Sequence, residues 1–523
     1  MYKQEKQENL IVNGLFTDVK SKIKSHWITA LVAGMIIGLL TYGYFMSNHF
    51  LTYDSMWNQY SDQNMITSGR QFLQYACGIS SYYDLPWLNG LLAVFYLAVT
   101  SVFVIEGLGI KSHINAALTA GIVVTFPSVI STFGYTFTVD GYMLAALLAA
   151  MAFLLADRKK WGFLPGAVLL GVSLGIYQSF LSFAIILCVL KLLLDVCDQG
   201  KTKDIVGKGF RFVGMGIGAY AFYLVSLNIM LKLQDKQLSG YQGSDKVQSF
   251  SVSGLPDGLK AAFDNFINFA RWSNVLTTTG AMKCAFVVLV LAGAGIYGYL
   301  FVVRKCYKNI WNVILVLGCV AVIPFGATVV SIISPETFYH LILRSCWCLF
   351  FVFVLALSER LTLSKAEVFN HMKKAAVIIV TIFSVILIFE FSKMANIAGY
   401  NQHERYEKSY SLCVRIADRL EQTEGYEHGM PVAILGGFPD YPSTDITADD
   451  LSGYFGVTGD YVVGSTEHIA EFMSHYLNIT LNTVDLETQN KLAETEEYKD
   501  CPKFPANDCI IQIDGIWVIK LNG

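Results

Sequence analysis

The sequence predicts an all-α polytopic membrane protein of about eleven transmembrane helices, followed by a small C-terminal extracytoplasmic α/β module. Three observations predict it. Of 523 residues, 54% are hydrophobic and only 15% are charged, a balance that soluble enzymes do not have. Apolar runs long enough to cross roughly 30 Å of hydrocarbon recur from Trp27 to Phe391. The formal net charge of −3 hides a division: residues 1–399 hold about 30 Lys and Arg against about 20 Asp and Glu, residues 400–523 about 8 against about 21. The last quarter therefore reads as a separate acidic, water-soluble unit. Basic residues fall in small clusters between apolar runs, where they set topology, and form no basic, aromatic groove for nucleic acid.

Three regions follow: a cytoplasmic arm at 1–26, a transmembrane domain at 27–399 with outer loops at 49–87 and 232–281, and an extracytoplasmic domain at 400–523. The arm brings Lys20, Lys22 and Lys24 up to Trp27. The run from Trp27 to Ser47 is longer than a cleavable signal core and reads as a retained span with its N-terminus in the cytoplasm. Further spans are expected at Leu88–Leu108, Ala116–Gly134 and Asp140–Ala156, with a brief outer turn at Tyr135–Val139. Arg158, Lys159 and Lys160 mark an inner end. Gly162–Asp195 is too long for one crossing, and Tyr177-Gln178, the polar pair at its middle, marks a hairpin.

Phe210–Leu231 is the seventh span, and its GMGIGAY run fits close packing by small residues better than a phosphate loop, which needs a preceding strand and water. In the second outer loop Leu259, Phe263, Phe266, Ile267, Ala270 and Trp272 recur at helical spacing opposite Lys260, Asp264 and Asn268, the pattern of a helix in the membrane interface. Met282–Val303, Ile310–Ile333, Leu341–Leu357 and Ala375–Phe391 complete the spans. Every short loop assigned inward holds Lys or Arg, and the short outward turns hold none. Beyond residue 400, a helix at Gln402–Gln422 presents Tyr406, Tyr410, Cys413, Ile416 and Leu420 on one face. PVAILGG from Pro431 reads as a buried strand, and CIIQIDGIWVIKL as a hairpin turning at Asp514-Gly515.

The eleven cysteines form no CxxC pair and the nine histidines no HExxH, so no metal site is expected from spacing. Cys501 and Cys509 could close a small loop in an oxidising compartment.

The chemistry gathers at the outer ends of the spans. Loops between helices are usually a few residues long, so the stretch from His49 to Trp87, with Asp54, Asp62, Asp84 and Arg70 among rings and amides, demands a job. Asp54, Asp62, Arg70, Asp140, Gln178, His340 and Arg344 all fall on that one face. The plain alternatives are a solvated loop for the first two and an N-cap for Asp140. Arg344 stands a few residues inside an apolar span, which calls for a bound anion or a buried carboxylate partner. Transfer of a sugar from a phosphate-linked lipid needs a cation at the leaving phosphate, a carboxylate to deprotonate the attacking hydroxyl, and rings or amides around the sugar. Arg344 or Arg70, Asp54 or Asp62, and Trp57, Tyr60 and Tyr177 supply those parts.

The ordered blocks Asp54, Gly69-Arg70, Pro86-Trp87, FPSVISTFGYTFTVDGY from Phe126, LGIYQSFLSFA from Leu174, and Phe504-Pro505 before DCIIQIDGIWVIKL resemble the type II glucosyltransferases, integral membrane enzymes that modify bacterial O-antigen. The resemblance implies a GT-C type glycosyltransferase of the bacterial cytoplasmic membrane. It implies transfer of glucose or another hexose from a polyprenyl-phosphate donor to a surface glycan, such as O-antigen or a wall polysaccharide. An upstream donor synthase and a flippase would be its partners. It also implies an essential acid in the first outer loop: Asp54 by position, with Asp62 second. Members often show two adjacent acids after the first span, whereas Ser55 follows Asp54 here. The choice of base and any divalent-metal requirement therefore stay open. A flippase or transporter for lipid-linked sugars and an O-antigen polymerase are the competing classes. Transporters tend to show repeats with helices broken near the midplane, and no repeat is evident here.

Overall fold

The computed structural model describes residues 23–50, 52–240, 254–272, 274–335, 338–363, 370–437 and 451–521. Lys20 and Lys22 of the basic arm, and parts of the loops at 232–281 and Glu359–Lys374, lie outside these residues. The chain is a multi-pass helical protein: among the described residues nine helices are long and apolar enough to cross a membrane, ten with the bent pair His113–Thr125 and Pro127–Phe133, and the eleventh expected crossing corresponds to the shorter apolar helix Phe163–Ile176.

Helix α1 spans Ser25–Ser47, and the long loop after it carries two short helices, α2 at Tyr53–Trp57 and α3 at Leu73–Cys77. Helix α4 (Pro86–Leu108) returns through the bundle. Small residues let these helices approach: a Cβ on Gly34 would lie 2.9 Å from the Cβ of Ala98, and one on Gly38 would lie 2.4 Å from Val94. The third crossing is broken into α5 (His113–Thr125) and α6 (Pro127–Phe133), which meet at 44°. The cause is Pro127, which lacks the N–H a continuous helix needs and sits well at the first position of a new one.

Helix α7 (Thr136–Arg158) starts four residues before the expected Asp140, so Gly134 and Tyr135 alone make the turn. Asp140 is therefore one turn inside its helix and does not cap it. The hairpin at Tyr177-Gln178 lies between α8 (Phe163–Ile176) and α9 (Phe180–Cys197) as expected. Helix α10 (Thr202–Leu233) packs along α8, with Gly218 close to Ala167, which accounts for part of the glycine run. Helix α11 (Leu255–Trp272) is the amphipathic helix of the second loop. It seats Gly258, Ala262 and Phe269 and leaves Leu259 and Phe263 exposed, so only part of its apolar face is buried by protein.

Helices α12 (Gly280–Val303) and α13 (Ile310–Ala327) follow, then the short α14 (Val329–Ile333). The tenth crossing opens as a 3₁₀ turn, Leu341–Trp347, before α15 (Cys348–Thr362). Helix α16 (Asn370–Glu421) has 52 residues, about 78 Å at 1.5 Å per residue, and runs unbroken across residue 400. Beyond it Leu412, Cys413, Ile416, Ala417 and Leu420 are buried, whereas Tyr410 stands at the margin of that face, 39% exposed.

They pack on a four-stranded sheet of order β2-β1-β4-β3, with β1 at Pro431–Leu435, β2 at Asn482–Thr483, β3 at Ile510–Ile513 and β4 at Ile516–Lys520. Strand β1 runs parallel to β2 and β4, and the β3–β4 hairpin turns at Asp514-Gly515, both with positive φ. Helices α17 (Thr466–Leu477), α18 (Leu486–Ala493) and α19 (Glu496–Asp500) complete the module. Cys501 and Cys509 are buried free thiols; the Cys501 Sγ approaches the carbonyls of Pro502 and Asp508.

The two ends of the bundle differ. At one, Lys24 and Arg158 hold Glu106 at 2.7 and 2.6 Å, Lys208 bridges Asp157 and Asp195 at 2.6 and 2.5 Å, and Arg360 meets Asp198 at 2.8 Å. Glu359 accepts the backbone N–H groups of Lys111 and Ser112 at 3.0 and 2.9 Å, satisfying donors at the start of α5. This is the lysine-rich end. The other, the loop end, carries α2, α3, α11 and the C-terminal module.

Candidate functional site

The first loop is built by local hydrogen bonding. Thr52 and Ser55 form a capping box: the Ser55 N–H donates to Thr52 Oγ1 at 3.3 Å and the Thr52 N–H to Ser55 Oγ at 2.5 Å. The residue after Asp54 is thus spent on starting α2, and Asp54 is left exposed in the first turn. The buried Met56 of the same helix belongs to the core of the C-terminal module, so α2 is fixed from both sides. Trp57 packs its ring on His468 of α17 at 4.7 Å.

His468 and Arg70 both act on Asp54 electrostatically. Although Asp54 keeps contact with solvent, the protein packed around its carboxyl removes part of its hydration and pushes it above the ordinary aspartate value, and His468 and then Arg70 pull it back. Burial likewise lowers His468, against the carboxylates of Glu467 and Asp54.

Asp62 is also exposed, but its two oxygens accept from the Asn64 N–H at 3.1 Å and from Gln74 Nε2 at 3.2 Å, bonds that shape the loop. Asp84 is buried at a clasp. Its Oδ1 accepts from Thr136 Oγ1 at 2.5 Å and its Oδ2 meets His49 Nε2 at 3.2 Å, which ties both ends of the loop to the start of α7.

The turn at Gly69-Arg70 is held by the block at 175–178. Gly69 has φ 71°, and Gln178 Nε2 donates to the carbonyls of Ser68 and Gly69 at 3.1 and 2.9 Å, while the Tyr223 hydroxyl donates to Gly69 at 3.0 Å. A Cβ on residue 69 would lie 2.5 Å from that hydroxyl, so glycine is required by both φ and space. The Phe72 N–H donates to the Gly175 carbonyl at 2.8 Å. Two motifs a hundred residues apart thus interlock, and Arg70 is aimed at two rings. Its Nη1 donates to the Tyr142 hydroxyl at 3.0 Å, and its guanidinium lies 5.1 Å from the ring of Tyr177, which stacks on Tyr142 at 4.2 Å.

Asp140, two residues before Tyr142, is 1% exposed, and neither carboxylate oxygen has a hydrogen-bond partner among the described residues. The neighbouring Ser80 hydroxyl donates to the Cys77 carbonyl at 2.9 Å. Such a carboxylate is expensive to bury and is roofed by α3 rather than open to a ligand.

Arg344 is 9% exposed and meets no carboxylate among the described residues. It donates to the carbonyls of Asn265 at 3.2 Å and Tyr339 at 3.0 Å, between the rings of Phe269 and Tyr339 at 4.3 and 4.5 Å. His340 lies between Phe338 and Phe455, and burial, with Arg344 second, lowers its basicity.

The structure therefore brings Asp54, Trp57, Arg70, Tyr177 and Gln178 into one neighbourhood, with His340 and Arg344 on the same end of the bundle. It sets Asp62 in a loop-shaping role and Asp140 beneath that neighbourhood. Sequence reasoning missed His468 and Phe455. Ser465 caps α17 by accepting the His468 N–H at 3.2 Å, and that capping signature marks a helix start but says nothing of Asp54, more than 400 residues earlier. The segment from Leu451 reaches the α6–α7 turn, where Gly456 and Val457 lie against Gly134 and Tyr135, and it is held by the Tyr454 hydroxyl donating to the Val275 carbonyl and Asn401 Nδ2 donating to the Val457 carbonyl at 2.8 Å. Among the described residues no three His, Cys, Asp or Glu side chains converge as a metal ion would require.

Residues 43–355 match the family model described as glucosyl transferase GtrII, which is more than half of the chain. No curated protein and no solved structure matches.

Proposed function

The chain belongs to the glucosyl transferase GtrII family, and from that premise we propose that it transfers glucose, or another hexose, from a polyprenyl-phosphate donor to a cell-surface glycan. The loop end faces away from the cytoplasm of a bacterial cell, because the lysine-rich end holds the short basic loops that stay inside. The regions at 1–26, 27–399 and 400–523 are cytoplasmic, membrane-embedded and extracytoplasmic in this reading.

One observation carries the choice of base. Asp54 is the exposed acid at the loop end that feels the charges of both His468 and Arg70, and among the described residues its carboxylate is not taken up by the loop's own hydrogen bonds. The acceptor hydroxyl gives its proton to Asp54 as its oxygen attacks the anomeric carbon. The bond from that carbon to the phosphate oxygen breaks, and polyprenyl phosphate leaves with the electron pair. Arg70 and Arg344 supply positive charge for the departing phosphate, and Trp57 offers a half-exposed ring to the sugar. Gln178 and Tyr177 act by holding Arg70 in place.

The test is transfer by the purified full chain, with polyprenyl-phosphate glucose as donor and glycan extracted from cells lacking the protein as acceptor. Glucose should appear on the glycan and free polyprenyl phosphate in equal amount. Movement of intact donor across a vesicle membrane without transfer would replace this reading with a transporter.

A further inference from the structure

The lysine-rich end holds a cleft of about 910 Å³ at the start of α10, lined by Lys160, Trp161, Lys201, Lys203, Lys208 and Arg211. Three acids also line it. Asp195 is neutralised by Lys191 at 2.9 Å and Lys208 at 2.5 Å, and Asp198 by Arg304 at 3.0 Å and Arg360 at 2.8 Å, which leaves Asp204. Lys160, Lys201 and Lys203 are exposed and make no ion pair among the described residues. The first turn of the 32-residue α10 points its positive dipole end into the same space.

Ile205 lines this cleft and also lines a second, apolar groove of about 740 Å³. That groove runs along α10 past Phe210, Val213 and Ile217, facing α8, α9 and α13. Phe210 is 73% and Ile217 68% exposed, as suits side chains that meet lipid. Trp161, 69% exposed at the cleft, is the kind of ring found where membrane meets water. A pocket with three exposed lysines that shares the wall residue Ile205 with an adjoining apolar groove is complementary to an anionic head carrying a long chain.

We propose that this composite site binds an anionic phospholipid, probed with phosphatidylglycerol, its phosphate among Lys160, Lys201 and Lys203 and an acyl chain along α10. Basic pockets between membrane helices are suited to such headgroups. The groove also has a soft spot for testing: nothing lies within 4 Å of a Cβ built on Gly216, so leucine there fills the groove without pressing on a neighbouring helix.

The experiment is native mass spectrometry of the full chain in detergent, titrated with phosphatidylglycerol, with phosphatidylcholine of the same chains, and with glycerol 1-phosphate. Phosphatidylglycerol should bind at least about tenfold more tightly than phosphatidylcholine, a difference of about 1.4 kcal/mol. K160Q/K201Q/K203Q should abolish that preference, Gly216→Leu should weaken both lipids, and K305Q/K308Q/K374Q, elsewhere on the same end, should leave it intact. Equal affinity for the two lipids in the parent overturns the proposal, as does an unaltered Gly216→Leu. Loss of preference in both triple variants would mean diffuse attraction, and displacement by equimolar glycerol 1-phosphate would mean a soluble-anion site; either sinks it.

Discussion

The two ends of the helical bundle use charge in opposite ways. At the lysine-rich end Glu106, Asp157, Asp195, Asp198 and Glu359 each meet a cation or a row of N–H donors, and the pairs join helices far apart in the chain. At the loop end Asp54 and Asp140 close no ion pair among the described residues, and Arg344 is held by carbonyls and rings. Paired charge fastens helices. Charge left without a counter-charge costs stability wherever it is buried, and it is retained where a ligand or a reaction uses it. The difference separates paired charges that fasten the fold from the unpaired Asp54, Asp140 and Arg344 at the end where the reaction is proposed.

The sharpest way to break this contrast is Asp54→Asn. It preserves shape and cannot accept a proton, so turnover should fall about 10²–10⁴-fold with donor binding intact. Asp62→Asn, whose carboxylate serves the loop, should stay within a few-fold of the parent by the same assay. Parent-rate transfer by Asp54→Asn would remove it from the mechanism, and a collapse confined to Asp62→Asn would move the role there.

Next in size is Arg344. Lysine keeps the charge but loses the planar fork that spans two carbonyls, so Arg344→Lys should raise the donor KM by roughly tenfold. Arg344→Ala should raise it further and lower the melting midpoint as well, because two buried carbonyls lose their donor. Unchanged donor affinity in both variants would confine Arg344 to structure.

Glu359→Gln probes the opposite end. It weakens bonds from a buried carboxylate to the Lys111 and Ser112 N–H groups, worth about 1.5–3 kcal/mol each. Thermal stability should drop while turnover per folded molecule holds; a loss of turnover at full stability would erase the distinction between the ends.

The smallest effect is on pH. Asp54 must be ionised to act, and burial raises its pKa, so the acidic limb of kcat/KM should lie above the 3.8 of an ordinary aspartate. Arg70 lowers that pKa, so Arg70→Gln should move the limb to higher pH. A limb that moves down, or not at all, would uncouple Arg70 from Asp54.

The sequence by itself determined the order of the apolar helices, the hairpin at Tyr177-Gln178, the buried strand at Pro431 and the turn at Asp514-Gly515, while it overcounted by one or two the helices long enough to cross. These rest on length, hydropathy and turn chemistry within a few residues, which neighbours elsewhere do not alter. It also marked Asp54, Arg70, Tyr177 and Gln178 as candidates for one site, through blocks expected at the same ends of the apolar runs. Only the tertiary structure decided how those parts stand. Gln178 bonds the backbone of residues 68 and 69, Met56 plugs into a core formed by residues beyond 400, and His468 arrives from the far end of the chain. Asp140 shows the limit best: its place in the chain suits a cap, yet it is buried between α3 and α7 with no counter-charge among the described residues, because burial is set by what packs against a residue and not by what precedes it.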